Sequence, residues 1–102
     1  MSVINITTEN YQSEVAESSK TVLLDFWASW CGPCSMLTPI VHEFAEENPD
    51  VKVCKINVDE AGDLSAKFRI ANIPTLVVVK NGEEVKRSIG VISKSAIEEL
   101  VK

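Results

Sequence analysis

Cys31 and Cys34 stand two residues apart in Trp30-Cys31-Gly32-Pro33-Cys34. This spacing brings two thiols within bonding reach, so the pair can cycle between dithiol and disulfide. The motif follows a near-continuous apolar run, Val22 to Ala28, and leads into a segment of helical periodicity. Both thiols therefore fall in the first turn of a helix, where unsatisfied N–H groups favour a thiolate. Cys31, nearer the chain turn, is expected to be the exposed sulfur that attacks a disulfide in a partner. Cys34, one turn deeper, would attack the mixed disulfide and release the reduced partner. The competing reading is half of a zinc site, which needs two further ligands at similarly tight spacing. His42 and Cys54 are the available candidates, and they form no second pair. Redox chemistry is the reading adopted, with no metal and no bound cofactor.

Other residues gain meaning from their surroundings. Asp25 lies amid apolar neighbours in a strand. It is either a strand-end carboxylate reaching water or a desolvated acid with a raised pKa. The second would let it take the proton of Cys34 through a water. Lys55, in the next strand, is either a snorkelling surface lysine or a charge partner for Asp25. Trp27 belongs to the apolar run and reads as packing. Trp30 precedes the nucleophile at a turn, where an exposed aromatic suggests substrate contact. Cys54 alternates with Ile56 and Val58 and reads as an inert buried thiol, a regulatory role being the alternative. His42 reads as a helix-surface residue with no assigned role.

The elements that must position these residues follow from periodicity. Val3–Ile6 is a short strand, and Thr7 or Thr8 can cap a helix bringing Tyr11 and Val15 one turn apart. Val22 to Ala28 reads as a strand buried on both faces. Leu37, Ile40, Val41 and Phe44 mark one face of a long helix, which Pro39 kinks and Asn48-Pro49-Asp50 stops. Val51 to Val58 is a strand, and Leu64 with Phe68 marks a short helix. Asn81-Gly82 joins a hairpin of Thr75 to Val79 and Glu84 to Ile89. Ser93 or Ser95 starts a last helix that buries Ile97, Leu100 and Val101. Strands and helices alternate and a hairpin and helix close the chain, which predicts a central mixed sheet with helices on both faces.

Size and charge narrow the classes. The 102 residues suit one domain spanning 1–102. Ten Lys and Arg against fifteen Asp and Glu leave a net charge of −5, which argues against a nucleic-acid partner. No apolar run approaches the roughly 20 residues of a membrane span. Met1 to Ile6 lack the basic and apolar regions of a signal peptide, and three cysteines are too few for a secreted disulfide scaffold. A reducing, cytoplasmic setting is expected.

Trp30-Cys31-Gly32-Pro33-Cys34 after an apolar strand containing Asp25, followed by Ile73-Pro74-Thr75, resembles the thioredoxin family across essentially the whole chain. The resemblance implies a thioredoxin fold, α/β and three-layered, with a four- or five-stranded mixed sheet flanked by four helices. It implies general reduction of protein disulfides, with electrons from a thioredoxin reductase. Expected clients are those of the family: ribonucleotide reductase, peroxiredoxins and methionine sulfoxide reductases. As a mobile carrier the protein is expected to be a monomer.

By the same resemblance Asp25 is the buried acid and Lys55 its charge partner. Pro74 is cis rather than an ordinary trans proline at a strand start. Gly90 is a contact glycine rather than simply a turn residue. Gly32, Pro33, Ile73, Pro74, Gly90 and Val91 would then join Trp30 in a flat apolar patch around Cys31. Two departures stand out. Ser35 replaces a frequent lysine, and Ala71-Asn72 replaces a frequent Arg-Gly. Both remove positive charge near the site and bear on reductase specificity.

Overall fold

Strands alternate with helical segments until a hairpin and a final helix close the chain. The computed structural model describes residues 2–102. The strands are β1 (Val3–Ile6), β2 (Thr21–Trp27), β3 (Val51–Asn57), β4 (Thr75–Lys80) and β5 (Glu83–Ile89). The helices are α1 (Gly32–Glu47), α2 (Gly62–Lys67) and α3 (Lys94–Leu100), and a π-helical turn covers Gln12–Ala16. The sheet has five strands in the order β1-β3-β2-β4-β5. β1, β3 and β2 run parallel, whereas β4 runs antiparallel to both β2 and β5.

Alternation along β2 divides the core. Val22, Leu24 and Phe26 face the π-helical turn and α2, where Phe26 and Tyr11 both meet the Phe68 ring. Leu23, with Val53, Leu76 and Val78, faces α1 and α3 and packs on Leu37, Val41, Phe44 and Ile97. Both faces of β2 are covered, which is why its sequence is almost uninterruptedly apolar.

The sheet order positions the site. Because β2 and β4 are antiparallel, the end of β2 meets the start of β4, with Phe26 opposite Thr75. β5 returns beside β4, so Ile89 ends opposite Thr75. β3 ends beside β2, with Asn57 opposite Trp27. The segments after β2 and β3, before β4 and after β5 therefore converge at one end of the sheet.

Local chemistry accounts for most boundaries, with some corrections. The first helical element is a π turn closed by the Glu17 N–H on Gln12 O at 3.0 Å, and it keeps Tyr11 and Val15 buried together. Neither Thr7 nor Thr8 caps it. Asn10 Oδ1 accepts from the Thr7 N–H at 2.8 Å, and the Thr8 hydroxyl donates to Asp63 at 2.7 Å instead. α1 runs unbroken past Pro39 to Glu47. Asn81 and Gly82 both have positive φ, 53° and 81°, the conformation a two-residue hairpin turn requires. A Cβ at Gly82 would lie 3.0 Å from Ala16 O. Of the two candidate serines, Ser93 caps α3, accepting from the Ala96 N–H at 3.1 Å.

Candidate active site

Cys31 occupies the N-cap of α1 in an extended conformation, with φ −95° and ψ 110°. Its Sγ accepts from the Cys34 N–H at 3.2 Å, so a sulfur takes the place usually held by a hydroxyl or carboxylate oxygen. The Cys31 N–H donates back to Ala28 O at 3.2 Å and closes the turn after β2. Gly32 and Pro33 form the exposed first turn, where proline is tolerated because its missing N–H would have no helical partner. Cys31 and Cys34 are joined as a disulfide, with Cα atoms 5.3 Å apart. In the dithiol form the same N–H and helix N-terminus favour negative charge on Cys31. Cys31 is less exposed than its sequence position suggests. It retains 7% exposure against 3% for Cys34, because Ala28, Trp27, Val58 and Ile73 pack around the pair. The Ser35 hydroxyl turns back to Gly32 O at 2.6 Å.

The loop before β4 supplies the facing wall. The Ile73-Pro74 bond is cis. Ile73 O lies 3.8 Å from Cys31 Sγ, and the Thr75 hydroxyl donates to Asn72 O at 2.5 Å. Pro74 O accepts from the Gly90 N–H at 2.8 Å, which ties the end of β5 to this loop. Gly90 has φ 96°; space around it is open, so backbone conformation is what favours glycine there. Trp30, 69% exposed, and Val91 complete the apolar rim.

Three contributors escaped the sequence reading. Asp59 Oδ2 accepts from the Trp30 indole N–H at 2.8 Å. Ile89 is an exposed hydrophobe just before Gly90. A pocket of about 150 Å³ lies between Trp30, Ile70, Ala71, Asn72 and Ile73, so the two residues that replace the expected Arg-Gly form an uncharged wall beside the nucleophile. The Asn57-Val58-Asp59 turn signal was the available pointer to Asp59.

Asp25 lies on the α1 face of β2, beside Lys55 on β3 and Leu76 on β4. It is 5% exposed, and its Oδ1 has no hydrogen-bond partner among the described residues. Burial pushes its carboxyl up to about 7, against the opposing pull of the Lys55 charge. Lys55 holds its ammonium over the Trp27 ring, 5.4 Å from the centroid. Cys54 is free and fully buried, and burial pushes its thiol up to about 12. His42 lies on α1, whereas Cys54 belongs to the core on the opposite face of the sheet. The two cannot complete a zinc site with Cys31 and Cys34. Among the described residues, no cluster of three or more His, Cys, Asp or Glu side chains could hold a metal ion. No helix among them is long and apolar enough to cross a membrane.

The family model described as Thioredoxin matches residues 2–102. The chain belongs to the thioredoxin family. It is 45% identical to the thioredoxin of Rickettsia felis (strain ATCC VR-1525 / URRWXCal2) over 94 residues, 91% of this chain and 90% of the relative. It is 42% identical to the thioredoxin of Bacillus subtilis (strain 168) over 102 residues, 99% of this chain and 96% of the relative. It is 44% identical to that of Porphyra purpurea over 99 residues, 96% and 92% of the two chains. As a thioredoxin-family protein with the Cys31–Cys34 pair at a helix N-terminus, the chain is a protein dithiol–disulfide oxidoreductase. Its working group is that reversible disulfide, and membership implies a thioredoxin reductase as electron source and disulfide-containing proteins as clients.

Proposed function

We propose that Cys31 attacks the client disulfide and Cys34 resolves the mixed disulfide. The observation that carries this division is the Cys34 N–H directed at Cys31 Sγ, which favours the thiolate on Cys31 and leaves Cys34 the deeper thiol. Asp25 takes the proton of Cys34 as it attacks. Its buried, unpartnered carboxyl and its titration near neutrality support that role. Lys55 tunes Asp25 from the neighbouring strand.

Trp30, Gly32, Pro33, Ile73, Gly90 and Val91 form the docking surface for clients, whereas Pro74, also expected there, is buried. The Ile73 N–H has no partner among the described residues, so an extended client segment can pair with this backbone as an added strand. The chain works as one domain, as a monomer, in the cytoplasm. The low cysteine count supports that setting. Ribonucleotide reductase, peroxiredoxins and methionine sulfoxide reductases are the client classes.

An equilibrium redox titration of Cys31–Cys34 in dithiothreitol buffers, with free thiols alkylated and counted by intact mass, tests the assignment. A two-thiol transition well below the glutathione poise is expected. A transition near or above that poise moves the protein to an oxidant or isomerase role.

A further inference from the structure

Asp25 and Trp27 from β2, Lys55 from β3, and Thr38 and His42 from α1 line one cavity of about 160 Å³. The buried, unpartnered Asp25 Oδ1 marks its inner end. Thr38 and His42 are exposed on α1, so the cavity meets solvent there. A carboxyl, an ammonium, a hydroxyl and an imidazole on the walls give waters the two to four polar partners they need, and the volume admits several.

If Asp25 gains the Cys34 proton at each attack, any exchange of that proton with solvent has to cross this cavity. A carboxyl 5% exposed has little direct contact with bulk water. An imidazole at the mouth of the cavity is suited to the transfer, since it is the side chain that ordinarily gains and loses a proton near neutrality. We propose that His42 is the proton-relay residue of this protein, carrying the proton between Asp25 and solvent through water in this cavity. The proposal rests on Asp25 being the proton acceptor, and His42 acts through Asp25 without touching the sulfurs.

The Cys34 thiolate forms the Sγ–Sγ bond to Cys31 and expels the client thiolate, two electrons passing to the client. The Cys34 proton goes to Asp25, then through water to the His42 ring, which passes it to solvent. The opposite sequence reloads Asp25 when the disulfide is reduced. Asp25 and Lys55 are the charged groups on the cavity walls. On α1, Glu43 pairs with Lys94 of α3 at 3.3 Å, and Glu46 accepts from the Ser2 hydroxyl. β4 presents Leu76 and Val78 on this side.

The test follows the proton itself. The full chain, reduced and labelled with ¹³C at aspartate carboxyls, is titrated through neutrality, and the exchange rate at the Asp25 carboxyl carbon is read from NMR relaxation dispersion. His42→Gln and His42→Ala are expected to slow exchange at least about tenfold, short of the ~10²-fold that a directly placed acid–base group contributes. Added imidazole should restore the rate in His42→Ala. Native exchange rates in both variants, or slowing that imidazole does not relieve, overturn the relay. Asp25→Asn separates the two ideas: if it reduces insulin disulfides at the native rate, the acceptor role of Asp25 fails, whereas unchanged exchange in the His42 variants removes the relay alone.

Discussion

The indole N–H of Trp30 donates to the Asp59 carboxylate at 2.8 Å, while the ring stays 69% exposed beside the nucleophile. Asp59 is itself held by a turn in which its N–H donates to Asn57 Oδ1 at 2.9 Å. An exposed aromatic is thus fixed from the end of β3 rather than left to rotate, which lowers the ordering cost of docking a client. Asp59→Ala should raise KM for insulin reduction roughly fivefold, equivalent to about 1 kcal/mol for one solvent-exposed hydrogen bond. Reaction with a small aromatic disulfide, which needs no docking surface, should stay at the native rate. Equal loss on both substrates would place the effect on the sulfurs instead.

Cys34→Ser should retain the first attack and lose the second. Mixing it with a disulfide client should accumulate a covalent complex through Cys31, visible by intact mass and released by dithiothreitol. Cys31→Ser should form none and should lose essentially all turnover. A complex trapped through Cys34 would reverse the proposed roles.

Asp25 links the mechanism to stability. Its carboxyl is raised from 3.8 to about 7, chiefly by burial. Between about pH 4 and pH 7 the folded protein keeps a proton that the unfolded chain releases. Stability is therefore fullest below about pH 4, falls as pH rises through this window, and levels off above it. The rise in pKa corresponds to at most ~4 kcal/mol. Asp25→Asn should flatten this profile and unfold at higher urea than the native protein at pH 8, while reducing insulin more slowly. A native-like loss of stability with pH in Asp25→Asn would assign the dependence to another group.

The Cys54 thiol, fully buried and pushed up to about 12, should be silent to reagents at neutral pH. Iodoacetamide should label Cys31 first and leave Cys54 unlabelled in the reduced native protein at pH 8, whereas three labels should appear in denaturant. A third label under native conditions would point to local opening around β3 and revive the regulatory reading of this cysteine.

The features legible in the sequence are those set by near neighbours along the chain. Two thiols at i and i+3 before a helical periodicity must share a helix N-terminus, and the Cys34 N–H meets Cys31 Sγ there. Asn81-Gly82 encodes its own turn through two positive φ angles. The nearly continuous apolar run of β2 announces a strand covered on both sides, and a buried carboxyl was one of the two readings Asp25 offered within it. Features that depend on which strand ends lie together were not legible in the residues themselves, and Ile73 beside Cys31 was expected only from the family resemblance. The antiparallel pairing of β4 with β2 brings Ile73 O to 3.8 Å from Cys31 Sγ across 42 positions of sequence. The parallel pairing of β3 with β2 carries Asp59 to Trp30 across 29. Cys31 was expected to be open because it starts a helix at a turn. Packing from Ala28, Val58 and Ile73 covers it, since burial is a sum over segments that periodicity treats one at a time. His42 likewise reads as a plain surface residue until the seating of α1 on the sheet leaves a cavity that joins it to Asp25.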